Sequence, residues 1–195
     1  AGLLEIKRRI KSIKNTRKIT KAMGLVATSK LRKARQKLTE NNQYFSSLDE
    51  IARELIGSLN SNNNPLLKPN DNPKKLIILL ASDSGLCGGF NGNTAAFVRD
   101  NYENNLENIE AVVVGKKGIH YVKKNKISTL AEYVDLGDTP NVGDASTIVN
   151  KAVKEFTDGN FGEVSLVYTK FFSPVKQEVV EEKLLPLDLT GEKGK

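Results

Sequence analysis

Residues 3–59 read LLEIKRRIKSIKNTRKITKAMGLVATSKLRKARQKLTENNQYFSSLDEIARELIGSL. The stretch holds no proline, and one seam runs through it at alternating four- and three-residue steps. Its positions are Ile6, Ile10, Ile13, Arg17, Thr20, Gly24, Ala27, Leu31, Ala34, Leu38, Asn41, Phe45, Leu48, Ala52, Leu55 and Leu59. Twelve of these sixteen are Ile, Leu, Phe or Ala, which makes the 3.5-residue period of a coiled coil continuous over the whole stretch. A single helix ending near Leu59 is predicted, about 80 Å long at 1.5 Å per residue. One helix cannot bury its own seam, and no later helical segment approaches its length. The seam therefore calls for a helix from another chain, a second copy, or a further part of the same protein.

Charge divides the chain along the same line. Residues 1–40 carry thirteen Lys or Arg against Glu5 and Glu40, whereas residues 41–195 carry seventeen basic and twenty-one acidic residues. The net charge of +7 thus hides +11 on the first part and −4 on the rest. The basic character is assigned to the helix alone, and it predicts an acidic or polyanionic partner there. No apolar run approaches 18 residues, so no membrane-spanning helix is expected. The N-terminal stretch lacks the apolar core of a secretory signal, and one cysteine, Cys87, excludes an internal disulfide framework.

Beyond the helix, Asn60 to Pro65 is a strong breaker, and the linker extends over 60–73. A small α/β domain is expected over 74–187. Leu76 to Leu80 reads as a buried strand within Lys74–Ala81, followed by a Gly-rich turn from Asp83 to Gly92 and a helix from Asn93 to Tyr102. Glu110 to Val114 is a second strand, Lys116 to Lys124 a helix, and Ile127 to Val134 a third strand. Asp144 opens a helix whose inner face is Ile148, Val149, Ala152, Val153 and Phe156. Val164–Tyr168 and Gln177–Glu181 complete the strands. Alternating strands and helices imply a mostly parallel, Rossmann-like sheet from which the long coiled-coil helix projects. Residues 188–195 form a polar tail, read as a truncated or disordered edge.

Two segments carry functional information. Ile19, Met23 and Val26 add a second apolar stripe beside the seam, so several sides of the helix around residues 19–27 are expected to be contacted. The sleeve around a shaft and the interior of a larger bundle both fit. The basic residues Lys7, Arg8, Arg9, Lys11, Lys14, Arg17, Lys18, Lys21, Lys30, Arg32, Lys33, Arg35 and Lys37 flank these stripes. A nucleic-acid-binding coiled coil is one reading, but the seam runs through the basic stretch and no aromatic residue interleaves it for base stacking. An acidic protein partner explains both seam and charge.

The second segment is Asp83-Ser84-Gly85-Leu86-Cys87-Gly88-Gly89-Phe90-Asn91-Gly92. It follows a strand and precedes a helix, where phosphate loops sit, yet no lysine follows the glycines and the dinucleotide spacing is missing. Cys87 as a nucleophile with His120 as base is conceivable, but His120 lies among Ile119, Tyr121 and Val122 where packing or surface exposure explains it. A tight turn built for close backbone packing is the preferred reading. No group of residues has metal-ligand spacing.

Ile19-Thr20-Lys21-Ala22-Met23 through Val26-Ala27, followed by the Lys30–Lys37 run, resembles the N-terminal helix of the F-type ATP synthase gamma subunit. Asp83, Gly85, Leu86, Cys87, Gly88, Gly89 and Asn91 match that family's middle-domain signature, and the similarity spans Leu3 to about Leu187. The resemblance implies the central rotor stalk of a rotary ATP synthase of bacterial type, transmitting torque for ATP synthesis or hydrolysis. Its partners would be three alpha and three beta subunits, the epsilon subunit and the membrane c-ring. ATP, ADP and Mg would sit on partner subunits, and no catalytic, cofactor or metal residue is expected on this chain. A peripheral place on the cytoplasmic side of the cell membrane is implied. Lys18, Lys21, Met23, Lys30, Arg32, Lys33 and Arg35 would meet acidic loops of the ring. The family also ends in a second long helix, antiparallel to the first, which this sequence does not contain; the resemblance therefore reads it as an incomplete gamma subunit.

Overall fold

The structure, a computed structural model, describes residues 2–58, 64–137 and 140–187, with the backbone alone at 53 and 55–58. The chain divides into two compact units, Ala1–Ser58 and Leu59–Lys195. The side chain of Leu55, all of Leu59, linker residues 60–63 and the tail 188–195 lie outside the described residues.

The first unit is one helix, α1 (Leu3–Ser58), 56 residues long and about 84 Å at the standard rise. It contains no proline, and its hydroxyl residues turn inward on the helix. Thr20 Oγ1 donates to the carbonyls of Thr16 and Arg17, Thr28 to Gly24, and Thr39 to Arg35. Such bonds satisfy the hydroxyl within the helix. Thr20 can therefore occupy a seam position and present its methyl group outward.

The second unit is a five-stranded sheet with order β3-β2-β1-β4-β5, where β1 is Lys75–Leu80, β2 Ile109–Val114, β3 Ser128–Tyr133, β4 Glu163–Ser173 and β5 Lys176–Leu185. The first four are parallel, and β5 returns antiparallel to β4. Helices α2 (Phe90–Asn101), α3 (Lys116–Lys124) and α4 (Val142–Thr157) connect the parallel strands, with a 3₁₀ turn over Glu103–Asn108. From β1 the chain steps outward to β2 and β3, then crosses back past β1 to β4. Because parallel crossovers are right-handed, that reversal puts α4 on the face opposite α2 and α3. The core divides accordingly. Ile77, Leu79, Ala111, Val113 and Val167 meet Val98 and Val122, while Leu76, Ile78, Val112 and Val164 meet Ile148, Ala152 and Phe156. Burying each Leu, Ile or Val removes it from water at a gain of about 1.5–3 kcal/mol.

Several boundaries differ from the sequence reading. Helix α2 begins at Phe90, not Asn93. Gly89 is its N-cap residue, and Asn93 N–H already donates to Gly89 O at 2.8 Å. Gly92 is thus a packing position rather than a turn residue: a Cβ there would lie 3.2 Å from the Tyr121 ring of α3. Helix α4 starts at Val142, because Asn141 rather than Asp144 is the cap. The Asn141 side chain accepts from Asp144 N–H at 3.1 Å, and Asp144 Oδ2 accepts from Asn141 N–H at 2.9 Å. This reciprocal pair is a capping box. Val149, expected on the inner face, is exposed. Strands β4 and β5 are much longer than the predicted pair, since they form one hairpin whose ladder runs from Val164↔Leu185 to Ser173↔Lys176.

Candidate functional site

On α1 the seam is laid out as its period requires, and it faces water. Ile6, Ile10, Ile13, Leu31, Leu38, Phe45 and Leu48 are each 44–67% exposed. The second stripe of Ile19, Met23 and Val26 is exposed too, at 61%, 45% and 56%. A run of this size on one helix is far more apolar surface than a solitary element leaves open in a finished protein. Around it stand Lys18, Lys21, Lys30, Arg32, Lys33 and Arg35, all exposed. The only acidic residues of the first forty are Glu5, paired with Arg9 at 3.3 Å, and Glu40, which accepts from Gln36 at 3.0 Å. Apolar stripes flanked by this excess of cations suit a surface that is both dehydrated and met by an acidic protein.

The Gly-rich segment lies at the carboxyl end of β1, next to the point where strand order reverses between β1 and β4. Three side chains lock it. Asn91, 4% exposed, accepts from Ser82 N–H at 2.8 Å and donates its amide to Ser82 Oγ at 2.9 Å and Cys87 Sγ at 3.2 Å. Ser82 Oγ in turn donates to Ser84 O at 2.6 Å. Asp83 Oδ1 accepts from Lys116 N–H, the first turn of α3, at 2.9 Å. Backbone N–H groups of Lys116, Asp135 and Leu136 hold the Asp83 carboxyl below the usual range. The positive end of α3 is thereby occupied by the chain's own carboxylate.

Gly115 completes the arrangement. Its φ is +101°, and a Cβ would lie 2.6 Å from Ala81 C, so only glycine allows β1 and the loop after β2 to touch. Held on this frame, Leu86 stands out with φ +65° and 91% of its surface exposed. Gly85 and Gly88 are also exposed, as is Cys87. The preferred sequence reading, a tight turn for close packing, fits the Asn91 and Gly115 contacts. His120 is exposed on α3 with its ring edge-on to Tyr121 at 5.5 Å, and the hydrogen-bond partners of Cys87 Sγ are Asn91 and the Ser82–Ser84 segment. The Cys–His pair therefore has no geometry to support it.

Sequence reasoning missed two groupings. Lys75, whose side chain is 16% exposed, pairs with Glu163 at 2.6 Å and Glu181 at 2.7 Å and lies over the Tyr102 ring, while Tyr102 Oη donates to Glu181 at 2.8 Å. Burial works against the Lys75 charge, but hydrogen bonds to Glu163, Glu181 and Tyr102 outweigh it and raise its pKa. Burial likewise pushes the Glu181 carboxyl up, and the Lys75 and Tyr102 donors bring it below the ordinary value. Tyr102, Glu163 and Glu181 lie 27, 88 and 106 positions from Lys75 in sequence and meet it only in the folded sheet, so no local motif announces them. The second grouping is the basic face of α3, which corrects the assignment of basic character to α1 alone.

These features define a class: an extended helix with surfaces prepared for other chains, and a separate α/β unit that presents a rigid loop. The family described as ATP synthase matches residues 2–195. The ATP synthase gamma chain of Clostridium novyi (strain NT) is 49% identical over 189 residues, covering 97% of this chain and 66% of the relative. That of Clostridium botulinum (strain Eklund 17B / Type B) is 44% identical over 189 residues, covering 96% and 67%. The fold is shared with a chain of the Tetrahymena thermophila mitochondrial ATP synthase central stalk and c-ring structure, at a TM-score of 0.66 and 24% identity over 86% of this chain and 72% of that one. The chain belongs to the ATP synthase gamma-chain family. It spans about two thirds of the length of the relatives it matches.

Proposed function

We propose that the chain is part of the central rotor stalk of an F-type ATP synthase and transmits torque between an ion-driven membrane c-ring and a catalytic ring of three alpha and three beta subunits. The observation that carries this reading is α1, 56 residues of helix whose apolar seam and basic flanks are exposed together, in a chain 49% identical to a named gamma chain. The seam pairs with a second long gamma helix, antiparallel to α1, and the pair makes a lever stiff enough to carry torque. The α/β unit is the foot, which meets epsilon and the c-ring on the cytoplasmic side of the membrane. Among the described residues no helix is long and apolar enough to cross a membrane.

Lys18, Lys21, Lys30, Arg32, Lys33 and Arg35 meet acidic loops of beta. Exposed charge pairs are each worth about 0–1 kcal/mol, so a distributed set can exchange partners as the shaft turns instead of locking it. Met23 sits among these cations as a neutral, exposed position. Nucleotide chemistry belongs to the ring, and this chain supplies no bond-making group. Co-expression of the full-length chain with alpha and beta tests the assignment: a nucleotide-hydrolysing assembly containing this chain is expected, and a lone protein that binds nucleic acid with a steep salt slope would overturn it. Met23→Lys adds a cation at the contact and is expected to uncouple ion transport from ATP turnover. An unchanged transport-to-turnover ratio in membrane vesicles would refute the Met23 contact.

A further inference from the structure

Helix α3 carries Lys116, Lys117, His120, Lys123 and Lys124, all exposed. At about 100° per residue these five fall within an arc of roughly 120°, with Gly118 and Val122 buried on the opposite side. Lys126, also exposed, follows immediately. Five of the seventeen basic residues beyond position 40 thus lie between 116 and 126, leaving twelve basic against twenty-one acidic residues elsewhere in that part. Lys123 pairs with Glu132 at 3.3 Å, and Lys116 lies near Asp83. Among the described residues no carboxylate pairs with Lys117, Lys124 or Lys126. The face is continuous with the Gly-rich loop, since Lys117 Cε lies 3.7 Å from where a Cβ on Gly85 would stand.

We infer that this face docks a short carboxylate-rich segment of a neighbouring protein chain. The patch is a local cationic island on an otherwise acidic unit. A membrane surface or a nucleic acid extends well past it and meets repulsion from the surrounding acidic residues, whereas a segment of α3's own length, about 13 Å, meets only the island. The basic arc contains no exposed apolar residue to insert into lipid, the apolar side of α3 being spent on the sheet. It holds lysines and no arginine, which suits mobile point-charge pairing with carboxylates more than bidentate phosphate recognition. The inference rests on the proposed function only for the source of the neighbour, another subunit of the assembly.

The test is zero-length carbodiimide coupling of the assembled complex containing the full-length chain, with the products mapped by mass spectrometry. Amide links from Lys117, Lys123 or Lys124 to Asp or Glu of a neighbouring chain are expected. The double variant Lys117→Gln/Lys124→Gln, at exposed positions that leave folding intact, is expected to weaken that neighbour's binding about three- to tenfold at low salt and less at high salt. An intact assembly in which the α3 lysines couple only to Glu132, or are shielded from acetylation only by vesicles of anionic phospholipid, overturns the inference alone. Failure of any assembly to form overturns the proposed function and this inference together.

Discussion

Leu31 of α1 and Leu79 of β1 are the same side chain in opposite circumstances: the first is 44% exposed, the second 0%. The contrast holds for the two units as wholes. In the α/β unit the strands, two helices on one face and one on the other bury their apolar residues among themselves. In α1 every described apolar seam position faces water. The lesson is that one unit is stabilised by contacts within itself, whereas the other leaves its apolar seam uncovered among the described residues.

The sharpest way to break this comparison is to truncate both leucines. Leu79→Ala is expected to lower the unfolding free energy of the chain by about 2–5 kcal/mol. Leu31→Ala should change it by less than about 0.5 kcal/mol, as at other exposed sites, while weakening assembly. Equal losses in denaturant melts of the isolated chain would mean that α1 is already packed there.

Next in size is the Lys75 cluster, which ties β1, β4, β5 and the end of α2 together. Lys75→Met strands Glu163 and Glu181 without their cation, at an expected cost of about 1–3 kcal/mol. Its pH dependence has a definite sign. The Glu181 pKa is depressed in the folded protein, so its contribution is present above the unfolded value of about 4.3 and is lost as pH falls through the folded value. Lys75 is raised, so its contribution stays intact throughout acid and is lost only at high alkalinity. Stability should therefore fall below about pH 4 in the parent and fall less steeply in Lys75→Met. Parallel acid limbs in urea melts would remove the cluster from the account.

Smaller still is Asp83→Ala. It frees the first N–H of α3 and the Gly-rich loop, for a loss of about 1 kcal/mol or less, and faster amide exchange should appear around residues 82–89 and 116. Unchanged exchange there would show that Asn91 holds the loop alone. At the bottom of the scale, Cys87→Ser should alter stability by under about 0.5 kcal/mol and leave ATP turnover of the assembly untouched. A lost activity would revive the nucleophile reading that the hydrogen bonds of Cys87 disfavour.

Much of this was legible in residue order. The absence of proline and the four-three spacing from Ile6 to Leu48 predicted one uninterrupted helix, and the basic flanks were visible as composition. The apolar runs at Leu76–Leu80 and Glu110–Val114 marked central parallel strands, because strands covered on both faces need no polar alternation. The α3 limits Lys116–Lys124 follow from the local pattern, yet a total of −4 hides the charge of this helix, since a sum over sequence ignores which residues share a face.

What the sequence by itself determined is therefore whatever depends on neighbours three or four positions apart: helix period, strand apolarity, turn chemistry and the signature segments. Tertiary structure decided what depends on distant partners. Helix α2 begins at Phe90 because Asn91 is pinned to Ser82 and Gly92 must clear the Tyr121 ring. Strands β4 and β5 run on because each supplies the other's ladder. Lys75 meets Glu163 and Glu181 because parallel register sets β1 beside β4 and the hairpin brings β5 back. Periodicity is a property of local backbone geometry, whereas these pairings exist only once chain segments tens of residues apart have been placed side by side.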